Sequence, residues 1–431
     1  MIKEVETVEL LRGTLQLPAD KSISHRAAMF AALHEGRSTI ENFSEAADPH
    51  STLDCLRKLG VTIHEKRDNN NTIEVEGVGR DGLQQPSEDL NCGNSGTTMR
   101  LLSGIIAGSG GPARLTGDAS LSARTMKRII DPLTAMGAHI EARKNDFAPL
   151  NISREGPLKP INFPLPIPSA QLKSCVLLAG LFGDDPTEVI ETLPSRDHTE
   201  RLLNLPIQNK EGKKIIQASR ENDIPAQTYR IPNDFSAAAF WLVAGAIYPD
   251  ADIRLKNVGM NPTRTGALDI LKKMGANIEV LNPHKEGAEP VADLHVRSSQ
   301  LRPVEITKEI VPNCIDEIPI LAIAMLFADG VSHISGAEEL RHKETDRLSA
   351  LANMLIQAGA DFDEFKDGIE VKGHTDFVPK ASVFDSYHDH RIAMSAAVLS
   401  LMAKSPSRIN GAECTAISYP SFWDDVAFLT N

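Results

Sequence analysis

Six times along this chain a polar, hydroxyl-bearing start opens into a helix rich in Ala, Leu and Ile. Each copy then breaks at Gly or Pro and continues into a short strand. The copies are SISHRAAMFAALHEGRSTIENF from Ser22, SGTTMRLLSGIIAGSGGPARLTG from Ser95, SAQLKSCVLLAGLFGDDPTEVIET from Ser169 and SAAAFWLVAGAIYPDADIRLKNV from Ser236. DEIPILAIAMLFADGVSHISG near Asp316 and DHRIAMSAAVLSLMAKSPSRING near Asp389 complete the set, so successive starts lie 67–80 residues apart. That period is too long for a simple solenoid. Each copy reads as strand, helix, strand, helix with further strands between, a small α/β unit. A chain of 431 residues exceeds one ordinary core. The expected architecture is therefore two domains of three units each.

A second element alternates with the first: an amphipathic helix closed by a glycine turn before a strand. It reads as LDCLRKLGVTIHE with Gly60, LTAMGAHIEA with Gly137, LDILKKMGANIEV with Gly275 and LANMLIQAGADFDE with Gly359. RLLNLPIQNKEGKKIIQ, from Arg201, is a degraded copy. Glycine just past the last turn takes the left-handed position that other residues resist. Before the first copy, ADPHSTL places Asp48 at the N-cap and Pro49 at the first helical position. YRIPND (Tyr229 to Asp234) and LPAD (Leu17 to Asp20) are candidate crossings between domains. The strand before LPAD is then free to belong to the later half of the chain.

Composition narrows the function. Net charge is −13 and aromatics are 5%, which argues against a duplex-binding or base-stacking surface. A cleft can still focus a local positive field on a small anion. The five cysteines are scattered with no CxxC pair, as in a reduced, cytoplasmic protein. MIKEVETVELLRG does not read as a signal peptide, and apolar runs such as IPILAIAMLFA are too short to span a bilayer.

Helix N-termini expose unpaired N–H groups and the positive end of the dipole, so each start is a ready anion site. The first carries Lys21, Ser22 and Arg26. The second carries Asn94, Ser95, Gly96, Thr97 and Thr98, with Arg100 one turn in. The third carries Ser169, Ala170, Gln171 and Lys173, and the sixth carries Asp389, His390 and Arg391. GNSGTT reads either as a backbone cradle for phosphate or as a turn with an N-cap serine; it is not a P-loop. RHKETDRL, taken as helical, sets Lys343 and Arg347 on one face with Glu344 beside Arg347. It reads either as a solvated salt-bridge face or as a bidentate arginine next to an acid/base carboxylate. In HDHR the two histidines lie i,i+2 and no third ligand is marked. Asp389 as a helix cap with Arg391 reaching an anion is the reading, rather than a metal site. No GxSxG elbow is present.

LPADKSISHRA, GNSGTTMRLL, SAQLKSCVLLAGL, IDEIP, HKETDRL and DHRIAM, in that order from about Leu17 to Pro420, resemble the 5-enolpyruvylshikimate-3-phosphate synthase family. SAQ and SRDHTE are similar to its second bacterial class. The resemblance implies a two-domain inside-out α/β barrel of six βαβαββ units, three per domain. Residues 1–20 with 234–431 would form one domain and residues 21–233 the other, with helix N-termini facing an interdomain cleft. It implies transfer of the enolpyruvyl group of phosphoenolpyruvate to the 5-hydroxyl of shikimate 3-phosphate by addition and elimination, with release of phosphate. No metal or cofactor, no nucleic acid and no membrane would take part, and the protein would be a cytoplasmic monomer and a glyphosate target.

By the same resemblance, Asp316, Glu344 and Lys21 would be catalytic. Shikimate 3-phosphate would meet Lys21, Ser22, Arg26, Ser169, Ala170, Gln171, Arg196, Asp316 and Lys343. Phosphoenolpyruvate would meet Lys21, Asn94, Gly96, Arg124, Gln171, Arg347, His390 and Arg391. Four positions depart from the pattern. Thr125 stands where the family often has Pro, so that loop is expected to differ. Ile417 stands where the first class has Lys, and Glu339 where that class has an Asn contact. Glyphosate-tolerant members have Ala where this chain has Gly96, so the resemblance implies room for glyphosate. Two rivals are a transferase acting on a UDP-amino sugar, UDP-N-acetylglucosamine, and a non-catalytic repeat clamp on nucleic acid. The first is disfavoured because the Gly117–Thr125 loop lacks a cysteine, the second because of the −13 charge.

Overall fold

Apolar residues spread around a helix's whole circumference can only be buried by surrounding the helix with other structure. In the computed structural model, which describes residues 1–66 and 70–430, that is how the Ala-rich segments are used. All residues of Phe235–Ile247 and Ile318–Leu326 are buried, and His390–Ser400 is buried throughout. Lys21–Leu33, Gly96–Ser109 and Ala170–Gly180 are buried over most of their length. The sheets lie outside them, and their strands alternate inward and outward, as in Phe147–Arg154.

Among the described residues, five sheets repeat one topology. In the clearest case the spatial order is Leu90–Asn91, Ala113–Thr116, Phe147–Arg154, Ala138–Arg143. The first two strands are parallel, and the other neighbours antiparallel. The buried helix Gly96–Ser109 joins the parallel pair, as a parallel connection requires. The amphipathic helix Lys127–Ala135 joins the second strand to Ala138–Arg143. Four further sheets share this order, and the sixth has three strands.

The chain divides into two compact units, Met1–Pro18 with Pro232–Asn431, and Ala19–Ile231. Each holds three sheets and its own hydrophobic core. Two sheets are completed from afar. Arg12–Gln16 pairs in parallel with Asp252–Gly259, and Thr228–Arg230 pairs in parallel with Glu35–Glu41. The three-stranded sheet takes Ile2–Val5 antiparallel to Ser407–Asn410.

Within each unit the three buried helices pack on one another. Gly104 allows a close helix–helix approach in the Ala19–Ile231 unit: a Cβ there would lie 2.2 Å from the carbonyl oxygen of Cys175 on the neighbouring helix. Gly60, Gly137, Gly275 and Gly359 all take positive φ, between 76° and 102°. In the degraded copy the helix is His198–Leu202, and Asn204 (φ 48°) takes the left-handed position instead.

Two local expectations are corrected. The first amphipathic helix spans Ala47–Lys58 with Ala46 as its N-cap, so Asp48 lies inside the first turn and its carboxylate is free to pair elsewhere. RHKETDRL is not one helix: Glu338–His342 is a 3-10 turn, Lys343 is extended, and Asp346 caps a helix that starts at Arg347. The Asp346 side chain accepts from the Ser349 N–H at 3.0 Å, a local bond that wins over helix continuation.

Candidate active site at the helix mouths

In the Ala19–Ile231 unit the three buried helices begin beside one another and are linked by side chains. Asp20 caps the first, accepting from the Ile23 N–H at 2.9 Å. Lys21 places its ammonium 3.0 Å from the Asp48 carboxylate. Arg26 is 3% exposed, and donates to Thr199 Oγ1 (2.8 Å), Ser174 Oγ (2.9 Å) and the Ser22 carbonyl (2.9 Å). A buried chain runs from His25 Nδ1 to Thr52 Oγ1 (2.7 Å), on to Thr98 Oγ1 (2.7 Å) and then to Ser95 Oγ (2.8 Å). Burial, with Lys21 and Arg26 adding to it, pushes His25 well below the usual imidazole range.

At the second mouth, Ser95 caps and Gly96 opens the helix. A Cβ on Gly96 would lie 2.9 Å from Arg100 Nη1 and 3.5 Å from Arg124 Nη1, so two guanidinium groups converge over a bare backbone position. Arg124 is steadied by Asn94 Oδ1 (2.9 Å) and Ser120 Oγ (3.0 Å), and Asn94 in turn donates to Asp118 (2.7 Å). Thr125 forms an antiparallel bridge to Phe147 in the loop where the family often has Pro. Arg100 donates to Gln171 Oε1 at 2.6 Å, and Gln171 donates to Thr97 Oγ1 at 3.0 Å, which joins the second mouth to the third. Ser169 caps the third helix and Ala170 is its first residue. Lys173 does not reach this mouth. It is fully buried between Glu191 (2.9 Å) and Glu200 (2.8 Å), so its reading as a mouth cation is corrected.

In the other unit, Arg347 is the centre. It is 2% exposed, with Nε 2.7 Å from Asp389, one terminal nitrogen 2.6 Å from Glu344 and the other 3.2 Å from Asp316. Burial alone would lower its affinity for a proton, but the carboxylates of Asp389, Glu344 and Asp316 outweigh that and hold the cation more firmly than usual. Asp389 also caps its helix through the Arg391 N–H at 2.8 Å. Lys343, about a quarter exposed, sits 3.8 Å from Asp316. Desolvation pulls Lys343 below the ordinary lysine value, and Asp316 offsets this only in part while Arg347 adds to it. Arg391 lies 3.4 Å from Glu317, which also accepts from Ser236. Arg264 donates to Asp234 (2.8 Å) and Ser236 (3.0 Å). His390, the first residue of the helix that Asp389 caps, is buried.

The structure thus gathers Lys21, Asn94, Gly96, Arg124 and Gln171 around the mouths of one unit. It gathers Asp316, Lys343, Glu344, Arg347, His390 and Arg391 around those of the other. Arg196 stands in the loop before His198–Leu202. Several groups in these networks had no assigned substrate role: Asp48 beside Lys21, Arg100 on Gln171, Glu317 on Arg391, and Arg264. Only Arg100 and Glu317 carried a signal, one by its place a turn into GNSGTTMR and the other by its place in IDEIP. Among the described residues no group of three or more His, Cys, Asp or Glu is arranged to hold a metal ion.

The EPSP synthase (3-phosphoshikimate 1-carboxyvinyltransferase) family profile matches residues 5–426. The chain belongs to the EPSP synthase family. A relative named 3-phosphoshikimate 1-carboxyvinyltransferase from Salinibacter ruber is 49% identical over 429 residues, covering 99% of each chain. One of the same name from Geobacillus kaustophilus is 46% identical over 425 residues, covering 98% of each. Among solved structures, an EPSP synthase from Acinetobacter baumannii superposes with a TM-score of 0.87 at 39% identity, over 100% of this chain and 98% of that one. The enolpyruvyl transferase NikO from Streptomyces tendae, 18% identical with a TM-score of 0.77 over 99% and 97%, shares the fold of the EPSP synthase family.

Proposed function

We propose that this chain transfers the enolpyruvyl group of phosphoenolpyruvate to the 5-hydroxyl of shikimate 3-phosphate, releasing phosphate. Membership of the EPSP synthase family carries the reaction. The observation that carries its assignment to particular residues is the Arg347 cluster, where one buried guanidinium holds Glu344, Asp316 and Asp389 in fixed places. Both substrates are strongly anionic, which is what the cationic and hydroxyl-bearing helix mouths suit.

In the addition step the 5-hydroxyl oxygen attacks C2 of phosphoenolpyruvate. Asp316 takes the hydroxyl proton and Glu344 delivers one to C3, which becomes a methyl group. In the elimination step the tetrahedral adduct loses phosphate, which Lys21 stabilises and which carries away the proton that Asp316 took, and Glu344 recovers a proton from C3. Acid–base help of this kind is worth about 10²–10⁴-fold. Ser22, Arg26, Ser169, Ala170, Gln171, Arg196 and Lys343 bind shikimate 3-phosphate in this reading. Asn94, Gly96, Arg124, Gln171, Arg347, His390 and Arg391 bind phosphoenolpyruvate, Lys21 touches both, and glyphosate fits beside Gly96. The protein acts as a monomer in the cytoplasm. Among the described residues no helix is long and apolar enough to cross a membrane.

The test is phosphate release on mixing the protein with phosphoenolpyruvate and shikimate 3-phosphate, with UDP-N-acetylglucosamine as the alternative acceptor. Release with the sugar nucleotide alone, or with neither acceptor, refutes the reading.

A further inference from the structure

We infer that Lys173 is a positioning residue for shikimate 3-phosphate, fixing Arg196 by tying down the chain on both sides of it. The inference rests on the reading above that Arg196 meets that substrate. From Ser195 to Glu200 every residue is buried except Arg196, which is half-buried in the loop ahead of the His198–Leu202 helix. Arg196 is thus the one partly exposed residue of this segment.

The immobilisation comes from Lys173. It is 0% exposed, and its three ammonium protons have three acceptors: Glu191 Oε1 at 2.9 Å, Glu200 Oε1 at 2.8 Å and the Ser195 carbonyl at 3.3 Å. Ser195, immediately before Arg196, is held a second and third time, since its N–H (3.2 Å) and hydroxyl (2.5 Å) both donate to Glu191 Oε1. Glu200, four residues after Arg196, holds the other side. Thr199 is pinned as well, by Arg26 Nε at 2.8 Å and by Ser174 Oγ at 2.7 Å.

The charges balance locally. Lys214 approaches Glu200 at 3.0 Å and Glu191 at 3.9 Å, giving two cations and two carboxylates. A buried ammonium is costly to desolvate, and apolar replacements of similar volume are often at least as stable. Fixing a substrate-facing loop gives this cluster a use that an apolar one would lack. Because Lys173 lies one turn into Ala170–Gly180, the helix that presents Ser169, Ala170 and Gln171 also sets where Arg196 stands.

The test uses the full chain and follows phosphate release with each substrate varied in turn. Lys173→Met is the direct variant, but it strands two buried carboxylates and can fail to fold. Glu200→Gln, which keeps the shape and loosens one side of the loop, decides in that case. A folded variant of either kind is expected to raise the KM for shikimate 3-phosphate about tenfold, the scale of a sub-ångström misplacement. The KM for phosphoenolpyruvate is expected to stay within about twofold.

Arg196→Ala is expected to raise the same KM, and adding Glu200→Gln to it to raise it no further, because the two changes act through one contact. Equal changes in both KM values, a fall in kcat alone, or full additivity with Arg196→Ala overturns the inference. A wild-type protein that releases no phosphate overturns the functional reading instead, and an active Arg196→Ala variant with unaltered KM overturns the Arg196 contact.

Discussion

Adding a single methyl group at Gly96 gives the sharpest test of the cradle at the second helix mouth. The backbone there is helical and Gly96 is not among the positive-φ glycines, so Gly96→Ala strains no dihedral. The new Cβ would sit 2.9 Å from Arg100 Nη1, about half an ångström inside ordinary contact. That nitrogen is the one donating to Gln171 at 2.6 Å, so the guanidinium must yield and the bond lengthen. Losing a charge-assisted bond of this kind costs about 1.5–3 kcal/mol. Replacing Gly by Ala inside a helix returns up to ~1 kcal/mol. The net loss is then at most about 3 kcal/mol, or a fall in Tm of less than about 12 °C for a unit of this size. Function should suffer more than stability, because the methyl group and the displaced Arg100 occupy the face where both guanidinium groups converge. Steady-state kinetics should show the KM for phosphoenolpyruvate rising about tenfold, with that for shikimate 3-phosphate within about twofold. An unchanged KM for phosphoenolpyruvate would refute the placement of that substrate over Gly96. A Tm drop beyond about 15 °C would show the glycine to be a packing residue instead.

Further outcomes follow from other parts of the site. Glu344→Gln should lower kcat by about 10²–10⁴-fold, and full turnover would remove Glu344 from the proton transfers. Lys343 has its pKa lowered chiefly by desolvation, so it should lose its charge, and activity with it, at a lower pH than a free lysine would. Lys343→Arg should shift that alkaline limb upward in a pH–rate profile, and an unmoved limb would assign it to another group. Thr98→Val cuts the chain between His25 and Ser95 and should cost about 1–3 kcal/mol in thermal unfolding. Glyphosate should inhibit in competition with phosphoenolpyruvate, and full activity at millimolar inhibitor would show that Gly96 does not leave it room.

The repeat was legible because each part of it has a local cause. Gly60, Gly137, Gly275 and Gly359 mark turns that glycine fills with least strain, and an all-round apolar helix has nowhere to lie but inside. What escaped local reading depends on pairings distant in sequence. Lys21 meets Asp48 because that carboxylate is not used as a cap. Lys173 looks like a mouth cation by spacing, but the packing of neighbouring helices encloses it, and its partners Glu191, Ser195 and Glu200 lie 18, 22 and 27 residues away. Arg264 lies in a segment with no patterned neighbours, and only the fold brings it to Ser236. The Lys343–Arg347 stretch shows the opposite case. Its break from helical form was written locally, in Asp346 three residues before Ser349, and the longer charge pattern obscured it.

The threading of the chain has a consequence for biosynthesis. Residues 19–231 are contiguous and complete every one of their own sheets, so they can acquire native structure while the ribosome is still extending the chain. The two opening strands cannot. Arg12–Gln16 must wait for Asp252–Gly259, and Ile2–Val5 for Ser407–Asn410. The first residues made are thus among the last to find partners, and their unpaired edges are what a chaperone would need to shield in the interval.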